Sequence, residues 1–396
     1  MTDFLTQAEE LFEYTQSLRR DFHIHPELGF REVRTGGIVA KELQALDMEV
    51  TTGVAKTGVV GMLEGAKPGP VVLVRFDMDA LPVTEQTGAS YASTSPGVMH
   101  ACGHDGHTAI GLTVAKILHA CRDQLAGSVK FIFQPAEEGT CGEEIGGNEM
   151  MIREGVLDNP KPDLALSLHL WNEQPLGWVG VASGPVMAGA EEFKITVTGK
   201  GGHGAIPNLT VDPVVASSQI VTALQSITSR NIAPLQAAVV SVTMIHAGET
   251  FNVIPPEAKM EGTIRTFEPA VRETVLRRFE EIIQGVAGAL GCTAEVKVKR
   301  LTPALINADE IAQRVQESAR RVLPGANLDT TGHLTMGAED MAFMLEKVPG
   351  CYFFVGSANA EKNLNYGHHH PKFDFDEAAL SRAAALMAEA VTDFLK

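Results

Sequence analysis

The chain has 396 residues, enough at roughly 150 per domain for two or three domains, and its 32 basic against 49 acidic side chains give a net charge of −17. Hydrophobic residues make up 44% and charged residues 20%, so the chain carries the apolar surface that offsets ordering entropy and is not globally disordered. So negative a field repels phosphate backbones and anionic lipid, which argues against nucleic acid or a membrane surface as partner.

The first residues, MTDFLTQAEE, carry acids where a secretory leader carries bases, and no stretch approaches the ~18 uninterrupted apolar residues of a membrane span. The expectation is a cytoplasmic protein. Five scattered cysteines (Cys102, Cys121, Cys141, Cys292, Cys351) are odd in number and do not suggest a disulfide framework.

Apolar residues at helical spacing predict a helix over 4–18, ended by Pro26 and Gly29, and a second over 38–46. Strands follow at 58–63 and 71–76, the latter a continuous apolar run of the sort buried on both faces. Helix then alternates with strand: helix 108–119, strand 129–133, helix 150–156, strand 164–170. That alternation predicts an α/β domain with a mainly parallel central sheet flanked by helices. After the Gly- and Ala-rich stretch 182–190 the order becomes strand 193–197, helix 213–229, strand 238–246, strand 258–265, helix 270–290 and strand 294–298. The β-α-β-β-α-β order is that of a ferredoxin-like α+β unit. Helices at 311–322 and 378–395 and a strand at 352–355 resume the first rhythm. The predicted organisation is a catalytic α/β domain in two segments, 1–185 and 301–396, interrupted by a smaller domain at 186–300.

The densest chemistry is V-M-H-A-C-G-H-D-G-H at 98–107, with Cys102 and His104 two apart. In an extended segment such residues project to one side and can reach one ion. F-I-F-Q-P-A-E-E-G at 131–139 presents Glu137 and Glu138 at the carboxyl end of a strand, where open parallel sheets bind ligands. Adjacent carboxylates repel unless a cation or shared proton separates them, so one can ligate while the other handles a proton. His169 lies in the apolar strand 164–170, and His368, His369 and His370 form an internal triplet ahead of the last helix. Taken singly, each has a plainer reading: a buried cysteine beside loop histidines, a solvated acidic pair, a hydrogen-bonded core histidine. Clustered imidazoles favour a transition metal over magnesium or calcium.

With these motifs in place the chain resembles the dinuclear-metal carboxypeptidase and aminoacylase family, in its branch of hippurate hydrolases, N-acyl-amino-acid amidohydrolases and plant auxin-conjugate hydrolases. The resemblance spans nearly the whole length: R-R-D-F-H-I-H-P-E-L-G-F from Arg19, R-F-D-M-D-A-L-P from Arg75, M-H-A-C-G-H-D from Met99, F-Q-P-A-E-E-G from Phe133, G-G-H-G-A from Gly201, F-N-V-I-P from Phe251, G-A-E-D from Gly337 and H-H-P-K-F-D-F from His369. It implies a catalytic domain carrying an inserted dimerisation, or lid, domain.

Position by position, it makes Cys102 a thiolate bridging two metal ions, with His104, Glu138, His169 and His369 as further ligands. His369 is chosen over His368 and His370 because the family motif reads His, any residue, Pro, and Pro371 sets the register. Glu137 matches the general base. His203 matches a residue that reaches the other subunit's site to stabilise the oxyanion, while Asn252 and Arg265 match residues gripping the substrate carboxylate. Glu339 and Asp340 face the site in relatives, as catalytic or supporting groups. The carboxypeptidase branch has His-x-Asp where this chain has Arg75-Phe76-Asp77. Arginine is no ligand, and Cys102 takes up that role as in the hippurate hydrolase branch. Asp77 and Asp79 then support the ligands, or simply cap a turn or helix.

The implied activity is hydrolysis of N-acyl amino acids, such as N-benzoyl or N-acetyl ones, by a homodimer or homotetramer holding two divalent ions per subunit, zinc, manganese, cobalt or nickel. A dipeptidase or aminopeptidase is the alternative, needing an acidic group for the free α-amine. A metal-holding scaffold without catalysis would lack a ligand or base, and neither is missing.

Overall fold

A computed structural model describes residues 3–139, 142–332 and 334–396, so Cys141 lies outside them. The chain divides into two compact units, one made of Met1–Gly184, Ile306–His333 and Asp340–Lys396, the other of Pro185–Leu305 and Leu334–Glu339.

The first unit is built on an eight-stranded sheet in the order Glu49–Val54, Gly58–Glu64, Ala126–Gln134, Lys67–Asp77, Leu164–Pro175, Gly350–Ala358, Trp178–Gly180, Asn327–Asp329. Its four central strands, from Ala126–Gln134 to Gly350–Ala358, are mutually parallel, while Glu49–Val54 and Gly58–Glu64 join antiparallel on one side and Trp178–Gly180 does so on the other. The sheet is therefore mixed, with its parallel part at the centre. Val72, Val74, Phe76, Phe131, Phe133, Leu166 and Leu168 are buried, as continuous apolar runs require when helices cover both faces. The edge strand Glu49–Val54 escaped sequence reading because E-V-T-T-G-V is largely exposed and has no apolar alternation. The 4–18 periodicity is split at Leu11 into helices Phe4–Glu10 and Phe12–Ile24.

The helix His104–Ala120 is buried along nearly its whole length, and its small residues let it lie close on the sheet. A Cβ placed at Gly111 would come within 2.6 Å of Phe76 and 2.8 Å of Phe133. This helix starts at His104, four residues before the periodic pattern begins, because Gly103 at φ +97° turns the chain sharply into it.

The second unit holds a four-stranded antiparallel sheet in the order Ala238–Ala247, Glu257–Thr266, Gly189–Thr198, Thr293–Thr302. Helices Pro213–Ser226 and Pro269–Ala289 fall after the first and third of these strands in chain order. The topology is ferredoxin-like. Phe193, Ile195 and Val197 alternate inward against Ile220, Leu224, Phe279 and Ile283, which close a separate core. Among the described residues no helix is long and apolar enough to cross a membrane.

Gly111→Val should lower stability by about 1–3 kcal/mol through overpacking against Phe76 and Phe133. Equilibrium urea unfolding checks this, and an unchanged midpoint would mean that helix and sheet are not in close contact.

Candidate metal centre

The centre lies at the carboxyl edge of the parallel strands. Arg75 is level with Ser167 and Asp77 with Gln134, so His169, two residues past Ser167, reaches the height of Asp77. Pairing of Lys67–Asp77 with Leu164–Pro175 stops at Arg75, and a crevice opens beyond it. Three groups of side chains reach it: Asp77 and Asp79 after one strand, Glu137 and Glu138 after another, and His169 on the third. Cys102 and His104 arrive at the start of the buried helix. The left-handed turn at Gly103, rather than an extended segment, is what directs Cys102 and His104 together.

Potential donor atoms fall into overlapping groups within 4.8 Å: Cys102, His104 and His169; Cys102, Glu138 and His369; and His104, Glu137 and Glu138. Cys102 Sγ is 3.4 Å from His169 Nε2, and His369 Nε2 is 3.0 Å from Glu138 Oε1. His369 adopts φ +64°, its backbone N–H donating to Ala101 O at 2.7 Å. His368 lies 3.8 Å from Cys102 through Nδ1, but its Nε2 accepts the Asn172 N–H at 3.1 Å. His370 instead stacks on Tyr366.

Hydrogen bonds on the far side of each ring fix the tautomers. His104 Nδ1 donates to Asp79 O at 3.0 Å and lies 3.2 Å from Asp79 Oδ1, and His169 Nδ1 donates to Leu170 O at 2.7 Å. Both rings thereby present Nε2 to the centre, the arrangement metal-binding imidazoles use. Asp79 Oδ2 also accepts the Glu138 N–H at 2.9 Å, so one carboxylate orients two donor residues.

The charges ask for a cation. Burial, then Glu138 and Glu137, push the Cys102 thiol well above its usual range, so a thiolate forms here only beside added positive charge. Burial opposes protonation of His104, but Asp77 and Asp79 outweigh it and raise its pKa to about 10; a metal competes with that proton for Nε2. Burial likewise opposes charge on Glu138, yet His369 and His104 hold it below the usual carboxylate range. Burial, with His107 and His368 close by, keeps His169 in the neutral form that ligates. A sulfur, imidazoles and carboxylates converging in a buried edge fit divalent transition ions.

Behind the donors, the sequence implies supporting roles for Asp77, Asp79 and Asp340 but none for His107, Gln134 or Asn148. Arg75, fully buried, donates to Gln134 Oε1, Asp77 Oδ2 and Asp340 Oδ1, each at 2.8 Å. His107 accepts the Leu170 N–H on Nε2 at 2.9 Å and meets Asp77 Oδ1 through Nδ1 at 2.7 Å, tying three elements together. Its place one helical turn after His104 was the available signal. Asp340 also accepts from Gln134 and Asn148, while its backbone N–H donates to Glu137 Oε1 at 3.4 Å.

In the second unit, the two-stranded pairing of Gly202–His203 with Val253–Ile254 brings His203 beside Asn252, and Gly204 N donates to Asn252 O at 2.8 Å. His203 is exposed, and its Nδ1 accepts the Ala205 N–H at 3.1 Å, which leaves Nε2 outward. Arg265, half-buried on the four-stranded sheet, bonds Thr263 Oγ1 and Ile264 O. Glu339 is buried in this unit.

The profile of Peptidase family M20/M25/M40 matches residues 73–393. The chain belongs to this family. It is 40% identical over 374 residues to an N-acetylcysteine deacetylase of Bacillus subtilis (strain 168), with 94% of each chain covered. It is 43% identical over 292 residues to an N-acyl-L-amino acid amidohydrolase of Geobacillus stearothermophilus, covering 74% of this chain and 77% of that one. The crystal structure of the Bacillus subtilis YXEP protein, described as a dinuclear metal binding peptidase from the M20 family, is similar at a TM-score of 0.85 and 35% identity, covering 98% of this chain and 99% of that one. As an M20 member, the chain is a metal-dependent hydrolase of amide bonds, with divalent ions as cofactors and a small-molecule substrate.

Asp79→Ala removes the acceptor of the Glu138 N–H and the carboxylate beside His104, leaving His104 only the backbone oxygen, and should weaken metal binding about 10- to 100-fold. Chelator competition measures it; wild-type affinity in the folded variant would show that Asp79 does not orient these donors.

Proposed function

We propose that this M20 hydrolase cleaves the amide bond of N-acyl amino acids, releasing a carboxylic acid and a free amino acid. The observation that carries the reading is the sharing of Cys102 between two donor groups, with Glu137 and Glu138 together beside His104. The deacetylase and amidohydrolase names of its relatives supply the substrate class.

Cys102, His104, Glu138, His169 and His369 would hold two ions. Bound there, zinc, manganese, cobalt or nickel supplies Lewis acidity for the scissile carbonyl and lowers the pKa of a water. Glu137 takes the proton from the attacking water and returns it to the departing amine. The Asp340 N–H holds Glu137 from one side, and the rigid turn after Gln134 holds it from the other.

Arg265 has a guanidinium bonded only to a hydroxyl and a carbonyl among the described residues, so its charge is available to a substrate carboxylate. Asn252 offers a second polar contact. In a chain of net charge −17 such local cations are what make an anionic substrate bindable. His203, with Nε2 outward, stabilises the oxyanion in the site of a partner subunit, so the working form is at least a homodimer.

Glu137→Gln should leave metal content intact and lower kcat on benzoyl-glycine or N-acetyl amino acids about 10²- to 10⁴-fold. Elemental analysis run alongside the assay separates lost chemistry from lost metal, and undiminished turnover rules out Glu137 as the base. The parent should turn over these substrates faster than unblocked dipeptides; the reverse preference points to a peptidase.

His203→Ala should cost about 10²- to 10³-fold in kcat without loss of metal. Mixed with Glu137→Gln, it should recover part of the activity in hybrid dimers, where one site has both residues intact. No recovery despite demonstrated subunit exchange would contradict catalysis across subunits.

A further inference from the structure

Glu32 lies far from the metal-binding motifs in sequence and is fully buried. Its Oε1 accepts the backbone N–H of Ala136 at 2.9 Å, and its Oε2 accepts the Thr57 hydroxyl at 2.6 Å. Ala136 sits directly before Glu137 and Glu138 and holds φ +51°, a left-handed conformation that a residue with a Cβ disfavours. Something must hold it there.

We infer that Glu32 is a positioning residue, whose bond to the Ala136 N–H holds the turn after Gln134 in the one conformation that delivers Glu137 and Glu138 to the metal centre. The inference rests on the proposed roles of those two glutamates.

The surroundings agree from three directions. The turn is gripped on its other side by Asp79, through the Glu138 N–H at 2.9 Å, and in its middle by the Gly147 N–H, which donates to Ala136 O at 3.0 Å. The loop leading to Glu32 packs so closely on the turn that a Cβ at Gly29 would lie 2.3 Å from Gly139 O and 2.9 Å from Ala136 Cβ. The main chain at Glu32 is fixed as well, since its carbonyl caps the helix Val33–Gln44 by accepting the Gly36 N–H at 2.9 Å. Burial first, and the charge of Asp79 second, raise the Glu32 pKa to about 7. Two carboxylates thus converge on one three-residue turn, an expensive arrangement unless the turn is what they serve.

The test uses the full chain loaded with cobalt(II), reading affinity by chelator competition and kinetics on benzoyl-glycine. Glu32→Ala should weaken cobalt binding at least tenfold and lower kcat while KM moves less than threefold. Glu32→Gln keeps an acceptor for Ala136 and a donor for Thr57, and should stay within threefold of the parent in affinity. Ala136→Gly removes the cost of the left-handed turn, so adding it to Glu32→Ala should recover at least half of the lost affinity on a logarithmic scale.

A general loss of packing would not be repaired by a glycine at a distant turn. Parent-like affinity in Glu32→Ala overturns the inference, as does a double variant no better than the single one. If Glu32→Ala does not fold, the folded Gln variant decides: parent-like affinity supports the inference and a tenfold loss overturns it. Glu138→Gln is the control, for if it retains cobalt as the parent does, the ligand assignment has failed rather than the positioning role.

Discussion

The need to neutralise carboxylates crowded at one edge of a buried sheet governs this structure. Asp77, Asp79 and Asp340 are almost wholly buried, with Glu137 and Glu138 partly so beside them. Two like charges 4 Å apart repel by about 4 kcal/mol at an effective dielectric near 20, so such a cluster persists only with matched positive partners. Arg75 supplies one permanent charge and divides it between Asp77 and Asp340. Against burial, Asp77 and Asp79 draw His104 toward protonation, and the bond to Glu138 does the same for His369. Divalent ions are the stronger partner for the same carboxylates.

A second buried charge network sets the frame on which those groups stand. Arg19 is fully buried and donates to Asp105 at 2.8 Å and Asp374 at 2.7 Å, with Glu377 at 3.3 Å. Asp105 follows His104 on the helix, while Asp374 follows the His369 loop, so one guanidinium ties both donor segments to the Phe12–Ile24 helix. His23 adds a bond to Asp105 at 2.7 Å. Buried pairs of this kind add little net stability, but losing one partner is costly, and they restrict the packing to one arrangement. This gives R-R-D-F-H at the start of the chain a physical role that the motif alone did not disclose.

What could be read from sequence followed from how local its signal is. The buried parallel strands and the β-α-β-β-α-β block were legible because apolar periodicity is local, whereas the exposed strand Glu49–Val54 had none to read. Cys102, His104, Glu137 and Glu138 stood out as donors because the neighbouring residues carry the chemistry. Of the partners that aim them, Asp77 and Asp79 showed only as supporting or capping groups and His107 and Glu32 not at all, because Asp77 and His107 are 30 residues apart, and Glu32 and Ala136 are 104 apart. The histidine triplet shows the same division. The family resemblance singles out His369, but only the fold turns His368 toward the Asn172 N–H and sets His369 against Glu138.

On the proposed reading, Arg75 and the sulfur of Cys102 have complementary places at this centre. Arg75 stands two residues before Asp77 at the end of a central strand, and it bonds Gln134, Asp77 and Asp340. Asp77 in turn accepts from Arg75 on one oxygen and meets His107 with the other. On the proposed reading the bridging donor comes from the next segment, at Cys102, immediately before the N-terminus of a buried helix. The helix dipole and free N–H groups there favour negative charge, which offsets part of what burial and the neighbouring glutamates cost a thiolate. On the proposed reading, a guanidinium on the strand and a sulfur at the helix start are thus two halves of one arrangement: the first holds Asp77 and Asp340, and the second would supply the donor common to two groups.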